Sequence, residues 1–242
     1  MQCYNIIASP GKKIALLIDP DKLGLQSIIA TVYAANENAV SLILVGGSLM
    51  STHIDKVIQT IKEHTRIPVV LFPGSLLQLS RMADALLLLS LVSGRNPDYL
   101  IGNHVQAAPF IRQSALEVIP TAYVLIDGGT VTSVEYVSNT RPIPSNKPEL
   151  VVATCIAAEM LGHRLIYLEA GSGALNPVPP RVISEVKKIV NIPVIVGGGL
   201  NSPEKVAASF ESGADMVVIG NVVEKNIENL HKIASVLQNF KN

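Results

Sequence analysis

Residues 192–221 read IPVIVGGGLNSPEKVAASFESGADMVVIGN. The segment opens on an apolar burst, Ile192–Val196, that runs into Gly197, Gly198 and Gly199. Ser202 and Pro203 then make a helix start, Val206 and Phe210 share its inner face, and Gly213 suits its stop. A second burst, Asp215–Ile219, ends in Gly220-Asn221. Strand, glycine loop, helix and strand form the repeating unit of a parallel sheet with right-handed crossovers. Short, continuous apolar runs are what strands covered on both faces require.

The same burst recurs on the amino-terminal side. Strands are predicted at Ile14–Asp19, Val40–Val45, Pro68–Phe72, Ala85–Leu89, Ala122–Ile126 and Arg164–Glu169, which brings the total to eight. Ile54, Val57, Ile58 and Ile61 line one helix face after the second strand, with Thr52 and Asp55 as a capping signal in front of it. Val223, Ile227, Leu230, Ile233, Leu237 and Phe240 form one stripe of a terminal helix. Eight strands in 242 residues predict a single (β/α)8 barrel of TIM type, because such a barrel takes about 250 residues. The whole chain, 1–242, is read as that one domain, with an open doubly wound sheet as the alternative. Two connections are irregular. Pro73 to Asp84 has room only for a reduced third helix, and Asp127 to Pro148, rich in Pro, Ser, Thr and Asn, is long enough to expect a lid or mobile segment.

Composition removes whole classes of function. Nineteen basic side chains balance nineteen acidic ones, whereas binding to nucleic-acid backbones needs a basic excess. Aromatic residues are 4% and Trp is absent, which argues against base-stacking surfaces. Mean hydropathy is high at +0.39, yet no apolar run approaches the roughly 20 residues of a membrane span. The start, MQCYNIIASPGKK, lacks the pattern of a signal peptide, and two cysteines are too few for a disulfide framework or zinc site. The expectation is a soluble, cytoplasmic protein with at most transient membrane contact.

In a barrel, chemistry gathers at the carboxyl ends of the strands. Glycine loops after the seventh and eighth strands let backbone N–H groups approach an anion, and barrels build phosphate sites there. The sixth strand ends in Tyr167-Leu168-Glu169-Ala170-Gly171-Ser172-Gly173, which offers free backbone donors, a hydroxyl and a carboxylate pointing into the mouth. The first ends in Asp19-Pro20-Asp21-Lys22, and the second in Gly46-Gly47-Ser48. A strand-end carboxylate is a fitting Mg²⁺ ligand, since that ion takes one or two carboxylates and fills the rest with water and phosphate. Arg95, Asn96, Asn103 and His104 are a candidate second anion site or a plain surface loop. The five histidines show no metal-ligand spacing, Cys155 lies in an apolar helical run, and no lysine ends a strand from the inside to make a Schiff base. On these residues alone, an isomerase or lyase acting on a phosphorylated sugar, or a non-catalytic phosphate-binding module, stays open.

LLIDPDK (16–22), VGGS (45–48), SGRNPDYLIGNH (93–104), RPIPSNKPE (141–149), YLEAGSGA (167–174), VGGGL (196–200) and GNVVEKN (220–226) together resemble the geranylgeranylglyceryl phosphate synthases and their bacterial heptaprenylglyceryl phosphate relatives, in the family's order. The resemblance implies a modified (β/α)8 barrel with its third helix reduced. It implies transfer of a long prenyl group from its diphosphate to the 3-hydroxyl of sn-glycerol 1-phosphate, in a homo-oligomer using Mg²⁺. Matched by position, Asp19 and Ser48 look like the metal site. Tyr167, Leu168, Glu169, Ala170, Gly171, Ser172, Gly173, Gly198, Gly199, Gly220 and Asn221 look like the glycerol-phosphate site, with Glu169 and Tyr167 as its catalytic residues. The shorter bacterial branch has a lysine two residues before the metal-binding aspartate. Leu17 stands there instead, which favours a geranylgeranyl-type donor. Phe72, Leu76, Leu77, Tyr99 and Tyr123 are candidates for lining the prenyl groove.

Overall fold

Apolar residues on both faces of the strands leave the sheet no solvent-facing side, which a closed barrel and an open doubly wound sheet both satisfy. In the computed structural model, which describes Gln2 to Phe240, eight parallel strands pair in sequence order and the last returns to the first. They are β1 (Lys13–Ile18), β2 (Leu42–Val45), β3 (Val69–Leu71), β4 (Ala85–Leu91), β5 (Glu117–Leu125), β6 (Leu165–Glu169), β7 (Val194–Gly197) and β8 (Met216–Ile219). β8 closes on β1 with Ala15 opposite Val218. The (β/α)8 reading therefore holds.

The helices are α1 (Cys3–Ala8), α2 (Leu25–Glu37), α3 (Ile54–His64), α4 (Asn103–Gln113), α5 (Ser133–Ser138), α6 (Pro148–Met160), α7 (Pro180–Lys187), α8 (Pro203–Glu211), α9 (Asn221–Lys225) and α10 (Glu228–Ala234). Strand alternation divides the core into two layers. Ile14, Leu16 and Ile18 of β1 and Ile166 and Leu168 of β6 pack outward against helices. Ala15, Leu165 and Tyr167 turn inward with Leu44, Leu87, Ile195 and Met216. Cys3 and Ile7 of α1 join that inner layer from below and shut the barrel floor.

The third helix is reduced as expected, to a 3-10 turn at Leu76–Gln78. Other expectations shift. β5 begins five residues before Ala122 and includes Pro120, which a central strand ordinarily rejects. Pro120 lies across from the residues just ahead of β6, where its carbonyl accepts from the Arg164 N–H and its missing donor costs no ladder bond. Asp127–Pro148 is not an open loop. It carries α5, bonds Asp127 N–H to the Ile143 carbonyl (2.9 Å), and buries Thr132, Ser138 and Thr140. Thr52 does not cap α3, whose N-cap is His53 with no side-chain bond. Its hydroxyl goes instead to Asp21. The single terminal helix is α9, α10 and a 3-10 turn at Ser235–Phe240; Val223, Leu230 and Ile233 of the stripe are buried, Ile227, Leu237 and Phe240 are partly buried against the core, and the 3-10 turn buries Val236 in place of Leu237. α8 starts as expected, with Ser202 as N-cap and Pro203 next.

Candidate active site

Alternation along β6 places Tyr167 and Glu169 on the inner face at the upper end of the barrel. Both are buried, Glu169 to 5% exposure. Among the described residues, no cation pairs with this carboxylate. It accepts from the Gly171 N–H at 2.6 Å, and the hydroxyls of Tyr167 and Tyr123 stand close enough to favour its charged form. Burial pushes the Glu169 carboxyl up to about 7, and the three donors oppose that rise without cancelling it. Burial and the neighbouring Glu169 raise both tyrosine hydroxyls well above their usual range, so they remain donors. Phe72, Tyr123 and Tyr167 stack around this point, with ring centroids 5.1 Å apart for Phe72–Tyr167 and 5.4 Å for Tyr123–Tyr167.

Beside Glu169 lies the donor cradle. Gly198 has φ +81°, and a side chain there would run into the Glu169 carboxylate and the Gly171 backbone. Ser172, Gly173, Gly198, Gly199, Gly220 and Asn221 all face one cavity of about 660 Å³. The Asn221 amide, oriented to satisfy its neighbours, accepts from the Gly173 N–H at 3.0 Å and donates to Glu224 Oε2 at 3.3 Å. The alternation of β6 separates part of the predicted set: Leu168 and Ala170 turn outward into the helix-facing core, so neither side chain reaches the cavity. Gly171 serves through its N–H to Glu169.

Across the mouth stand Asp19 and Ser48, lining the same cavity. Gly47 leaves room for Asp19, since any Cβ there would stand 3.0 Å from its carboxyl atoms. Among the described residues, no group of three or more His, Cys, Asp or Glu is arranged to hold a metal ion. One carboxylate and a nearby hydroxyl thus suit a hard cation that draws most of its ligands from water and phosphate, and not one that needs a protein cage. Asp21 accepts from the N–H groups of Ser51 (2.7 Å) and Thr52 (3.0 Å) and from both hydroxyls, which ties the loop after β2 to the loop after β1. Those bonds, led by the Thr52 hydroxyl, hold its carboxyl below the usual range.

Sequence reasoning gave no role to Lys22 or Glu224, yet both reach the mouth. Lys22 Nζ lies 3.2 Å from Asp19 Oδ2, 3.7 Å from Glu224 Oε2 and 3.5 Å from Ser172 Oγ. The signal was present in the DPDK and GNVVEKN stretches, but nothing in them says that the two converge.

The cavity continues outward as an apolar groove. Because a 3-10 turn replaces the third helix, the outer face of β4 is incompletely covered. Leu86 and Leu88 of that face line the groove, together with Leu76, Leu79 and, from α4, Ala107 and Ile111. Phe72, Tyr99 and Tyr123 line it as expected, whereas Leu77 points to solvent at 85% exposure. Arg95 spends its guanidinium on the Gly94 carbonyl (2.7 Å), and Asn96 donates to the Ser138 carbonyl (2.7 Å). The structure does not assemble them into a second anion site. Cys155 is buried in the core, and its thiol is pushed up to about 12.

A closed (β/α)8 barrel that sets backbone donors and a buried carboxylate around one open end has the build of an enzyme for phosphorylated substrates. Within that class the chain belongs to the PcrB family, whose model matches residues 9–238. It is 47% identical over 230 residues to a geranylgeranylglyceryl phosphate synthase of Spirosoma linguale, covering 95% of this chain and 92% of the relative. It is 48% identical over 227 residues to one of Chitinophaga pinensis, covering 93% and 90%. Among solved structures, (S)-3-O-geranylgeranylglyceryl phosphate synthase from Thermoplasma acidophilum in complex with its substrate sn-glycerol-1-phosphate superposes with a TM-score of 0.94, 34% identity and 99% coverage of both chains. Among the described residues, no helix is long and apolar enough to cross a membrane.

Proposed function

We infer that this chain transfers a long prenyl group, geranylgeranyl, from its diphosphate to the 3-hydroxyl of sn-glycerol 1-phosphate. One observation carries the reading. The Lys22 ammonium touches both Asp19 on the first strand's side and Ser172 on the sixth strand's side. The carboxylate of Asp19 and the donor cradle therefore face each other across a single ammonium group, close enough for a diphosphate and a three-carbon acceptor to meet. The relatives' names and the acceptor bound in the Thermoplasma structure support the same chemistry.

The cradle fixes the acceptor's phosphate and turns a chance encounter into an oriented one. Glu169, whose pKa burial raises to about 7, takes the proton of the 3-hydroxyl as its oxygen bonds to C1 of the prenyl chain. The C1–O bond to the diphosphate breaks, and its electron pair leaves with that group. Phe72, Tyr123 and Tyr167 cluster at the inner mouth and line the cavity, and an aromatic face turned to an allylic carbon favours the positive charge that develops there. Asp19 and the Ser48 hydroxyl would hold Mg²⁺, which when bound offsets the charge gathering on the departing diphosphate. The groove over β4 takes the tail.

The test is direct. Radiolabelled sn-glycerol 1-phosphate is incubated with geranylgeranyl diphosphate, with and without Mg²⁺, and extracted with organic solvent. Label should enter the organic phase only when enzyme, donor and Mg²⁺ are all present. Asp19→Ala and Glu169→Ala should each cut that rate by at least about 100-fold while circular dichroism shows the barrel still folded. Absence of label would favour chemistry on a phosphorylated sugar, and a fully active double variant would end the assignment of roles.

A further inference from the structure

We propose that Lys22 is a substrate-binding residue, the cation that receives the acceptor's phosphate; this rests on the prenyl-transfer reading above. The argument begins with charge. Ser172, Gly173, Gly198, Gly199, Gly220 and Asn221 supply N–H and hydroxyl donors, all neutral. The other ionisable groups at this end are mostly acidic: Asp19, Glu169 and Glu224 line the same cavity. A phosphate monoester carries about −1.5 to −2 charges at neutral pH. A dianion placed in a neutral cradle among carboxylates is repelled unless a positive charge stands beside it.

Lys22 is placed for that. Its Nζ already reaches Ser172 Oγ, inside the cradle, at 3.5 Å, and its partners Asp19 and Glu224 lie at 3.2 and 3.7 Å. These are long contacts for an ammonium, and the side chain is 44% exposed. A flexible four-carbon stem with three donors can move from such partners to a phosphate without disturbing the barrel. Among the described residues, no other strand-end side chain does the same. Leu17, whose Cβ lies against Gly220, brings no charge. Lys225 lines the rim but makes no hydrogen bond to the cradle among the described residues. Glu224 acquires a role in turn. Its carboxyl is raised by burial and by Asp19 and lowered by Lys22, and it steadies the ammonium while no phosphate is present.

The experiment is calorimetric titration of the full chain with sn-glycerol 1-phosphate in the absence of metal and donor, repeated with inorganic phosphate. Lys22→Gln should weaken both by roughly tenfold to a hundredfold, the loss of one charge-assisted hydrogen bond. Lys22→Arg should stay within a few-fold of wild type, and Lys225→Gln should be unchanged. In turnover, Lys22→Gln should raise KM for glycerol phosphate and leave KM for the prenyl diphosphate alone. Lys22→Met serves as a second variant, with thermal melting to show that each chain is folded. Unchanged affinity in folded Lys22→Gln and Lys22→Met would overturn the proposal. So would a rise confined to the donor's KM, which would give Lys22 to the diphosphate. Wild-type protein that binds inorganic phosphate through Lys22 but ignores glycerol phosphate would instead remove the prenyl-transfer reading and leave the phosphate assignment standing.

Discussion

Glu169 holds a carboxyl group in a place that penalises its charged form, and the fold bears the consequence. Its folded value of about 7 stands above the ordinary 4.5, with burial the largest cause. A carboxyl raised on folding contributes stability that is complete below the unfolded value and is lost as pH climbs through the folded one. Glu169→Gln keeps the shape and removes the titration. Its amide oxygen can still accept from Gly171, and its NH2 can face the tyrosine hydroxyls. Relative to wild type, the variant should therefore gain stability as pH rises from about 5 to 8, reaching on the order of 3 kcal/mol, while losing turnover. Denaturant midpoints of both proteins across that range decide it, and parallel curves would mean that Glu169 is ionised throughout. The inward direction of Glu169 was legible, because period-two alternation from Tyr167 settles it. Its raised pKa was not, because Tyr123 comes from the neighbouring strand and burial depends on the closed barrel.

At the scale of elements, the loops after the strands act as rigid parts. Gly198 adopts φ +81°, a region that costs an ordinary residue about 1–2 kcal/mol. A methyl there would also stand 2.6 Å from the Gly171 nitrogen, which holds Glu169. Gly198→Ala should lower the melting temperature and cut kcat/KM by at least about tenfold, since displacing a reacting group by 1 Å can cost about 10²-fold. Steady-state kinetics beside a thermal melt check this, and a fully active variant would show that the loop is not fixed by this contact. The glycines themselves were plain in the sequence. What escaped was cross-loop bonding: Thr52 looks like a helix cap by its spacing from Asp55, but Asp21, 31 residues away, recruits it and Ser51. Likewise the first five residues of β5 lie outside the strand expected at Ala122–Ile126, and Pro120 among them opposes strand propensity. Only the position of β6 shows that no ladder bond is lost there.

Over the whole molecule, the barrel has a shut end and an open one. Glu117 accepts from the N–H groups of Cys3 (2.5 Å) and Tyr4 (3.1 Å), the Arg164 guanidinium covers the Tyr4 ring at 3.8 Å, and α1 seals the floor. A six-residue helix without a side-chain cap leaves little trace in a sequence, so the floor went unread while the eight strands and the phosphate-binding end did not. The shortened third connection was legible too. Its effect was not, because the groove exists only where no full helix packs over the outer face of β4, leaving Leu88 half-buried. A groove made this way takes the donor's tail from the mouth outward along an apolar wall. Buried CH2 groups are worth about 0.8 kcal/mol each before ordering costs. Each five-carbon unit that finds room should therefore tighten donor binding by at least about tenfold, and a unit beyond the groove should add almost nothing. Competition by unreactive prenyl diphosphate analogues of 10, 15, 20 and 25 carbons measures the series. Affinity that climbs to the 20-carbon analogue and then levels matches a groove of geranylgeranyl length. Affinity flat from the shortest analogue would mean that the tail lies outside the groove altogether.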